Sequence, residues 1–452
     1  MSELSLAERA LSFTRGEAQA TVTRERSLFS RFAVSRPTQA TRVDDVSVSI
    51  FRVHEGHTGS AETNDVSDAG LRDVAAQADA AARSAAHAAP SAGDCPGLVA
   101  PAAVPAHDGY DAVTALLDPA VAGAALRTAF DACAARGAEA FGLWTAGVVD
   151  TAIASSTGVA VADTTTDAFM KVIARDRDGR SGWATGAGAA ISDLDPAALA
   201  ERAAAKVTRV TPVVLEAGEY PVVLEADAVG ALLDFLGAMA FNGLSHADGR
   251  GALAGRLGET IAAPGIALSD APLGAGTLPH AFDAEAVPKA PLALIQDGVA
   301  RAVVHDRRSA GRAGAESTGH ALIPGGSSYG PHPTNLVLTG GDASTEAELA
   351  APIERGIYVT RLWYVNPVHE KSTLLTGTTR DGTFLIEDGQ VTRPLLDVRF
   401  TDSVLRLLSA TEALGTAQHL ACEADFYGRR FASGVVCPPL RAQGFRVTGR
   451  TV

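Results

Sequence analysis

The chain has 452 residues, 46% of them hydrophobic and 20% charged, a globular composition long enough for two or three domains at roughly 100–200 residues each. Its 52 acidic and 38 basic residues leave a net charge of −14. An acidic surface repels phosphate backbones, which disfavours nucleic-acid binding.

Only four of the basic residues are lysines (Lys171, Lys206, Lys289, Lys371), a bias towards Arg. The cysteines, Cys95, Cys133, Cys422 and Cys437, form no C-x-x-C pair and have no His cluster beside them. Free thiols in a reducing cytosol are expected. No window reaches the roughly 18 consecutive apolar residues of a membrane span. The opening "MSELSLAERALSFTRG" has no apolar core of signal-peptide length. A cytoplasmic protein without a membrane segment is expected.

Residues 5–16 predict an opening helix. From Ala18 to Thr63 the chain alternates, as in "VSVSIFRV", and predicts an antiparallel meander. "NDVSDAGLRDVAAQADAAARSA" switches to helical spacing, with Ser67 or Asp68 as cap. Residues 88–110, rich in Pro, Ala and Gly, read as a loop. A helix over about 118–136 precedes strands in "EAFGLWTAGVVDTAIASSTGVAVADTTTDAFMKVIARD" and the helix "DPAALAERAAAKVTRV". A boundary near Val210 divides an N-terminal α+β domain, 1–210, from a C-terminal domain, 211–452, dominated by antiparallel sheet. The fold class is α+β.

The second half opens on "EADAVGALLDFLGAMAFNG", Glu225 to Gly243. Val229, Leu232, Leu233, Leu236 and Ala240 mark one apolar helix face. Asp227 reads as its N-cap and Asn242-Gly243 as its left-handed stop. In "APLALIQDGVARAVVH" and "GTFLIEDGQVTRPL" Asp-Gly separates extended segments, the signature of tight hairpins. Between them "RAGAESTGHALIPGGSSYGPHPTN" is a long loop of the kind that lines sites. "DSVLRLLSATEALG" predicts a late helix.

The chemical motifs are sparse. "HEGH", His54 to His57, has its histidines three apart in a β-rich stretch. The zinc motif H-E-x-x-H needs them four apart on one helix face, so a solvated strand end and turn is expected. "NPVHEKS", with His369, reads as a loop after a strand. His320 in "ESTGH" is a lone histidine in the long loop. There is no Walker-type phosphate loop, "GGSSYG" opens no helix, and no G-x-S-x-G elbow occurs.

Five stretches occur in order: "AQATVTRERSLFSRF", "HTGSAETNDVSDAGLRDVAAQADAAAR", "AFDAEAVPKAPLALIQDGVARAVVHDRRSAGRAGAESTGHA", "TRDGTFLIEDGQVTRPLLDVRFTDSVLRLLSATEALG" and "SGVVCPPLRAQGFRVTG". Together they resemble the TldD/PmbA family over essentially the whole chain. The resemblance implies a two-domain fold and a role in a heterodimer that degrades or trims unfolded peptides. In that family TldD is a metallopeptidase and its partner, PmbA or TldE, lacks the metal site. TldD carries H-E-x-x-x-H on a helix, completed by a C-terminal Cys, with neutral His and thiolate holding the metal and Glu taking a proton from its water.

Aligned on that pattern, Asp234 stands for the first His, Phe235 for the Glu and Met239 for the second His. Ser433 falls near the Cys, with Cys437 four residues on. Asp234 alone is a weak ligand, and Phe and Met offer neither hard oxygen nor imidazole. The resemblance therefore points to the TldE/PmbA side: no catalytic or metal residues in this chain, zinc in a TldD-like partner subunit, and peptide as substrate. His320, His369 and Cys437 are candidate substrate-cleft residues. Two alternatives stand beside it, a self-contained hydrolase with a relocated site (His320, His332, His369, Cys437) and a homodimeric peptide-binding scaffold.

Overall fold

The structure, a computed structural model, describes residues 2–89, 94–340, 343–422 and 428–450. Its first half runs α1 (Glu3–Leu11), β1 (Ala18–Ala33), β2 (Arg36–His54), β3 (His57–Thr63), α2 (Asp68–Ala88), α3 (Pro119–Ala135), β4 (Glu139–Ser155), β5 (Ala160–Arg175), β6 (Ser181–Gly188) and α4 (Pro196–Ala205). The strands form one antiparallel sheet in the order β3-β2-β1-β4-β5-β6.

Strict alternation decides what each face does, because successive side chains point to opposite sides of a sheet. Ala20, Val22, Val48, Ile50, Ala152 and Ala154 face one way and pack with Leu6, Leu71, Val74 and Ala78 of α1 and α2. Trp144, Met170, Val172 and Ala184 extend this layer under Leu126, Ala129, Leu199 and Ala200 of α3 and α4. Gly59 lets α2 lie directly on β3: a Cβ there would sit 2.2 Å from the Ala82 nitrogen. The intervening residues on the other face are largely hydroxylic and border a cavity, among them Thr21, Thr23, Ser49, Thr151 and Thr165.

The second half continues with β7 (Gly218–Leu224), α5 (Ala226–Met239), α6 (Gly243–Ala247), β8 (Ala267–Asp270), β9 (Leu292–Gln296), β10 (Val299–Ala300), α7 (Arg307–Ala313), β11 (Asn335–Thr339), β12 (Ala343–Ser344), α8 (Glu346–Ala350), β13 (Arg355–His369), β14 (Leu374–Glu387), β15 (Gln390–Pro394), β16 (Val398–Ser403), α9 (Val404–Ser409), β17 (Thr411–Gly415), β18 (His419–Ala421), β19 (Gly434–Cys437) and β20 (Leu440–Arg450). One sheet has the order β10-β9-β8-β11-β19-β18; the other runs β12-β17-β20-β16-β14-β13-β7, and β20 also pairs with β7. Most pairings are antiparallel, while β7–β13, β11–β19 and β12–β17 are parallel. The expected hairpins form, with Asp297-Gly298 and Asp388-Gly389 all at positive φ, the conformation of a type I′ turn. The late helix is shorter than its spacing predicts: α9 ends at Ser409 and Thr411–Gly415 is β17, held by β20.

Helix α5 lies in the main core with Leu224, Ile357, Val359, Phe400 and Phe445. Its termini differ from expectation. Glu225 is the N-cap residue and makes no side-chain cap bond. Asp227 instead accepts from Trp183 Nε1 at 2.9 Å and Thr185 Oγ1 at 2.7 Å, partners in β6 that local sequence cannot show. Asn242 does not stop α5; it caps α6, its Oδ1 accepting from the amides of Leu244 and Ser245.

Polar contacts tie the halves together. Lys206 Nζ donates to Glu225 Oε2 at 2.8 Å and to the Trp183 carbonyl at 2.9 Å. Ser181 Oγ donates to Asp381 Oδ1 at 2.6 Å, and the Arg361 guanidinium lies 3.7 Å from the Trp183 ring centroid. Among the described residues no helix is long and apolar enough to cross a membrane.

Candidate functional site

A cavity of about 810 Å³ lies between the hydroxylic face of the first sheet and loops of the second half. Facing Thr21, Thr23 and Thr151 is an apolar wall of Phe282, Ala284, Ala321, Leu322, Ile323 and Pro324. Lys289, His280, Asp283, His320 and Thr334 also line it, with Arg308, Arg429 and Arg430 among its charged groups. The size and the mix of apolar wall with a few polar groups are those of a small-ligand or short-peptide site.

The polar groups are held from behind. Lys289 Nζ donates to Thr334 Oγ1 at 3.1 Å and lies 3.9 Å from Asp270 Oδ2. Asp270 is fully buried. It accepts from His320 Nε2 at 2.9 Å and from the Asn335 amide at 2.8 Å. Burial pushes its carboxyl up, but the His320 bond, the Lys289 charge and the Asn335 amide outweigh it and hold Asp270 at about 2. Burial pushes Lys289 below the ordinary lysine range, against the pull of Asp270 and Asp283. His320 is also lowered, by burial first and Lys289 second. His280 Nε2 lies 2.8 Å from the Ala432 carbonyl oxygen, which fixes the proton on that nitrogen, and its ring stacks on Phe431 at 4.6 Å.

Asp283 accepts the amides of Glu285, Val287 and Ala321, yet burial dominates and pushes it up to about 6. Glu285 is pushed up to about 7 by burial and by Asp283. Asp163 Oδ1 takes the bond from His107 Nε2 at 2.9 Å, and its Oδ2 accepts the Ala281 amide.

Of the residues singled out in sequence, His320, His57 and Cys95 border this cavity, as does much of the long loop read as lining a site, Thr334 included; Lys289 and Asp270 were not read as site residues. Their partners lie tens of residues away, and only the strand order brings them together. His369 stands on the β13–β14 hairpin, its Nδ1 at 2.9 Å from Ser372 Oγ. The histidines of "HEGH" flank a hairpin turn, with Glu55 and Gly56 at positive φ and His54 opposite His57.

The α5 positions form a second locus. Asp234 is exposed, and its Oδ1 lies 3.2 Å from His332 Nε2. Phe235 packs on the main core and Met239 is buried within it. Ser433 precedes Gly434, whose amide donates to the Thr334 carbonyl. Cys437 is fully buried and donates to the Ala226 carbonyl at 3.3 Å; burial pushes its thiol well up, which disfavours thiolate. A zinc centre needs three or four clustered N, S or O donors. Asp234 and His332 are two, and among the described residues no group of three or more His, Cys, Asp or Glu could hold a metal ion. The residues at α5 therefore do not fit a zinc site.

Solved structures share this fold. TldE from Thermococcus kodakarensis superposes with a TM-score of 0.85 at 20% identity, covering 98% of this chain and 99% of that one. A Thermotoga maritima protein described as a candidate modulator of a DNA gyrase gives 0.83 at 19% identity, with 98% and 99% covered. A protein named metalloprotease from Methanothermobacter thermautotrophicus is 27% identical over 271 residues, 57% of this chain and 58% of that protein's length. The match thus spans less than two thirds of that relative. The family model for the PmbA/TldA metallopeptidase C-terminal domain matches residues 217–449, and that for the central domain matches 109–210. With both models matched in sequence order and the fold shared from end to end, the chain belongs to the PmbA/TldA (TldD/PmbA) metallopeptidase family.

Proposed function

We propose that this chain is the TldE/PmbA-type subunit of a two-chain TldD/TldE peptidase, without metal chemistry at α5. It holds unfolded peptide in the cleft between its halves, while a TldD-like partner supplies the zinc. The observation that carries this reading is the packing of Phe235 and Met239 into the core. These side chains give α5 an architectural role where the family's peptidases present ligands. The hydroxylic sheet face supports the peptide role, because Thr and Ser can donate to and accept from a peptide backbone without reading its sequence. The free cysteines fit a reducing, cytoplasmic setting.

Co-expression with a family member carrying H-E-x-x-x-H is the test. The two chains are expected to co-purify, and this chain to raise the partner's cleavage of an unfolded peptide. Separate elution together with unchanged partner activity would overturn the proposal.

A further inference from the structure

The cavity lining holds a lysine–threonine pair outside the α5 locus. Thr334 and Lys289 both line the cavity, and both are almost fully buried. Each is anchored through its main chain: the Lys289 amide donates to the Ala281 carbonyl at 3.0 Å, and the Thr334 carbonyl accepts from Gly434 at 3.2 Å. Among the described residues Thr334 Oγ1 is the one side-chain atom within hydrogen-bond distance of Lys289 Nζ.

A lysine serving only as counter-ion to Asp270 would close to about 2.8 Å, whereas here the separation is 3.9 Å. Asp270 already has donors of its own in His320 and the Asn335 amide. Burial lowers Lys289 against the pull of Asp270 and Asp283, so the amine that donates to Thr334 in the resting state gives up a proton more readily than an exposed lysine, and once neutral it can accept the Thr334 proton across the same 3.1 Å contact. The Asn335 side-chain amide, 3.3 Å from Thr334 Oγ1, donates to the same oxygen and leaves the Thr334 proton as the one to be passed on.

We propose that Thr334 and Lys289 form a nucleophile–base pair that carries out acyl transfer on amide or ester substrates entering the cavity. Thr334 Oγ bonds to the substrate carbonyl carbon as its proton passes to Lys289 Nζ. The C–N or C–O bond then breaks, and Lys289 returns the proton to the departing amine or alcohol. Water, with Lys289 again as base, hydrolyses the Thr334 ester and restores both groups. Asp270, held by His320, positions the lysine. This activity does not depend on a partner chain.

The test uses the full chain and a β-lactone probe, whose ring opens onto a nucleophilic oxygen and adds the probe's whole mass. One adduct, mapped to Thr334, is expected. Thr334→Ser keeps labelling and Thr334→Val abolishes it. Lys289→Met slows it about 100-fold or more, the usual contribution of a general base. Absence of an adduct, unchanged labelling in Thr334→Val, or an unchanged rate in a folded Lys289→Met variant would each overturn the proposal. Should Lys289→Met fail to fold, the Ser and Val variants still decide it. Co-purification with a metallopeptidase partner is unaffected by Thr334→Val, so this result and the subunit reading fail separately.

Discussion

Asp283, which lines the cavity, and Glu285 are both buried carboxyl groups, pushed up to about 6 and about 7. A carboxyl raised by folding stabilises the fold fully below its unfolded value and loses that contribution as pH rises through its folded one. Stability should therefore fall between about pH 4 and pH 7. For Glu285 the loss is on the order of 3 kcal/mol at 1.36 kcal/mol per unit. Glu285→Gln cannot ionise, so its urea midpoint should drop less between pH 5 and pH 8 than the parent's. Equal drops would assign the pH dependence elsewhere. Asp270 has the opposite sign: its contribution is present above the ordinary carboxyl range and lost as pH falls through about 2. Arg430 shows what a buried charge needs. Its Nε donates to Asp167 Oδ2 at 2.7 Å and its Nη1 to Thr145 Oγ1 at 3.0 Å, both acceptors buried. Arg430→Met strands the carboxylate and should lower stability by about 3–5 kcal/mol, with Asp167→Leu in the same chain recovering much of it. Denaturant titration of the single and double variants checks both steps.

Local pattern carries an element only as far as its partners are local. Alternation from Ala18 to Thr63 foretold the antiparallel meander of β1, β2 and β3, and Asp-Gly foretold two hairpins, because both signals live within a few residues. The α5 apolar face was legible for the same reason. Its caps were not: Asp227 is drawn off by Trp183, Thr185 and His419, and Asn242 spends its side chain on α6. Neither competitor is visible in the helix's own sequence. Gly230 is a further case. In a helix interior, Gly is worse than Ala by about 1 kcal/mol, so sequence alone recommends Gly230→Ala. A Cβ there would lie 2.3 Å from Ala421 Cβ on β18. Overpacking of this kind costs about 1–3 kcal/mol and outweighs the propensity gain. Gly230→Ala should therefore destabilise, and adding Ala421→Gly should restore much of the loss. Thermal melts of the parent, single and double variants decide whether contact or propensity governs the position.

At the scale of the molecule, function rests on what the two halves bring together. The cavity joins Thr21 to Lys289 and Thr334, separations that no motif search spans, so the sequence pointed to the long loop that carries His320 and Thr334 but not to the sheet face or the lysine it meets. The family resemblance reached the α5 locus because it reads order along the chain, not proximity. One exposed feature remains for the subunit reading. Strand β13 pairs with β7 only over Ile357–Val359, and past that point its second edge makes no ladder pairing among the described residues. The hairpin it forms with β14 carries Tyr364, 75% exposed, and Val368, 53% exposed. Arg361 and Arg380 lie 4.9 and 5.1 Å from the ring centroid of Trp363 on the same arm. An open edge with exposed apolar side chains invites pairing with another chain, and aromatic and Arg side chains are those that concentrate interface energy. If this arm docks the metallopeptidase partner, Tyr364→Ser with Val368→Ser should weaken co-purification by about tenfold or more, since hot-spot truncations cost about 2 kcal/mol. The lone chain's melting temperature should hardly move, because both side chains face solvent. Co-purification unchanged in the double variant would move the partner surface elsewhere, and a large fall in melting temperature would show that the arm serves this chain's own fold.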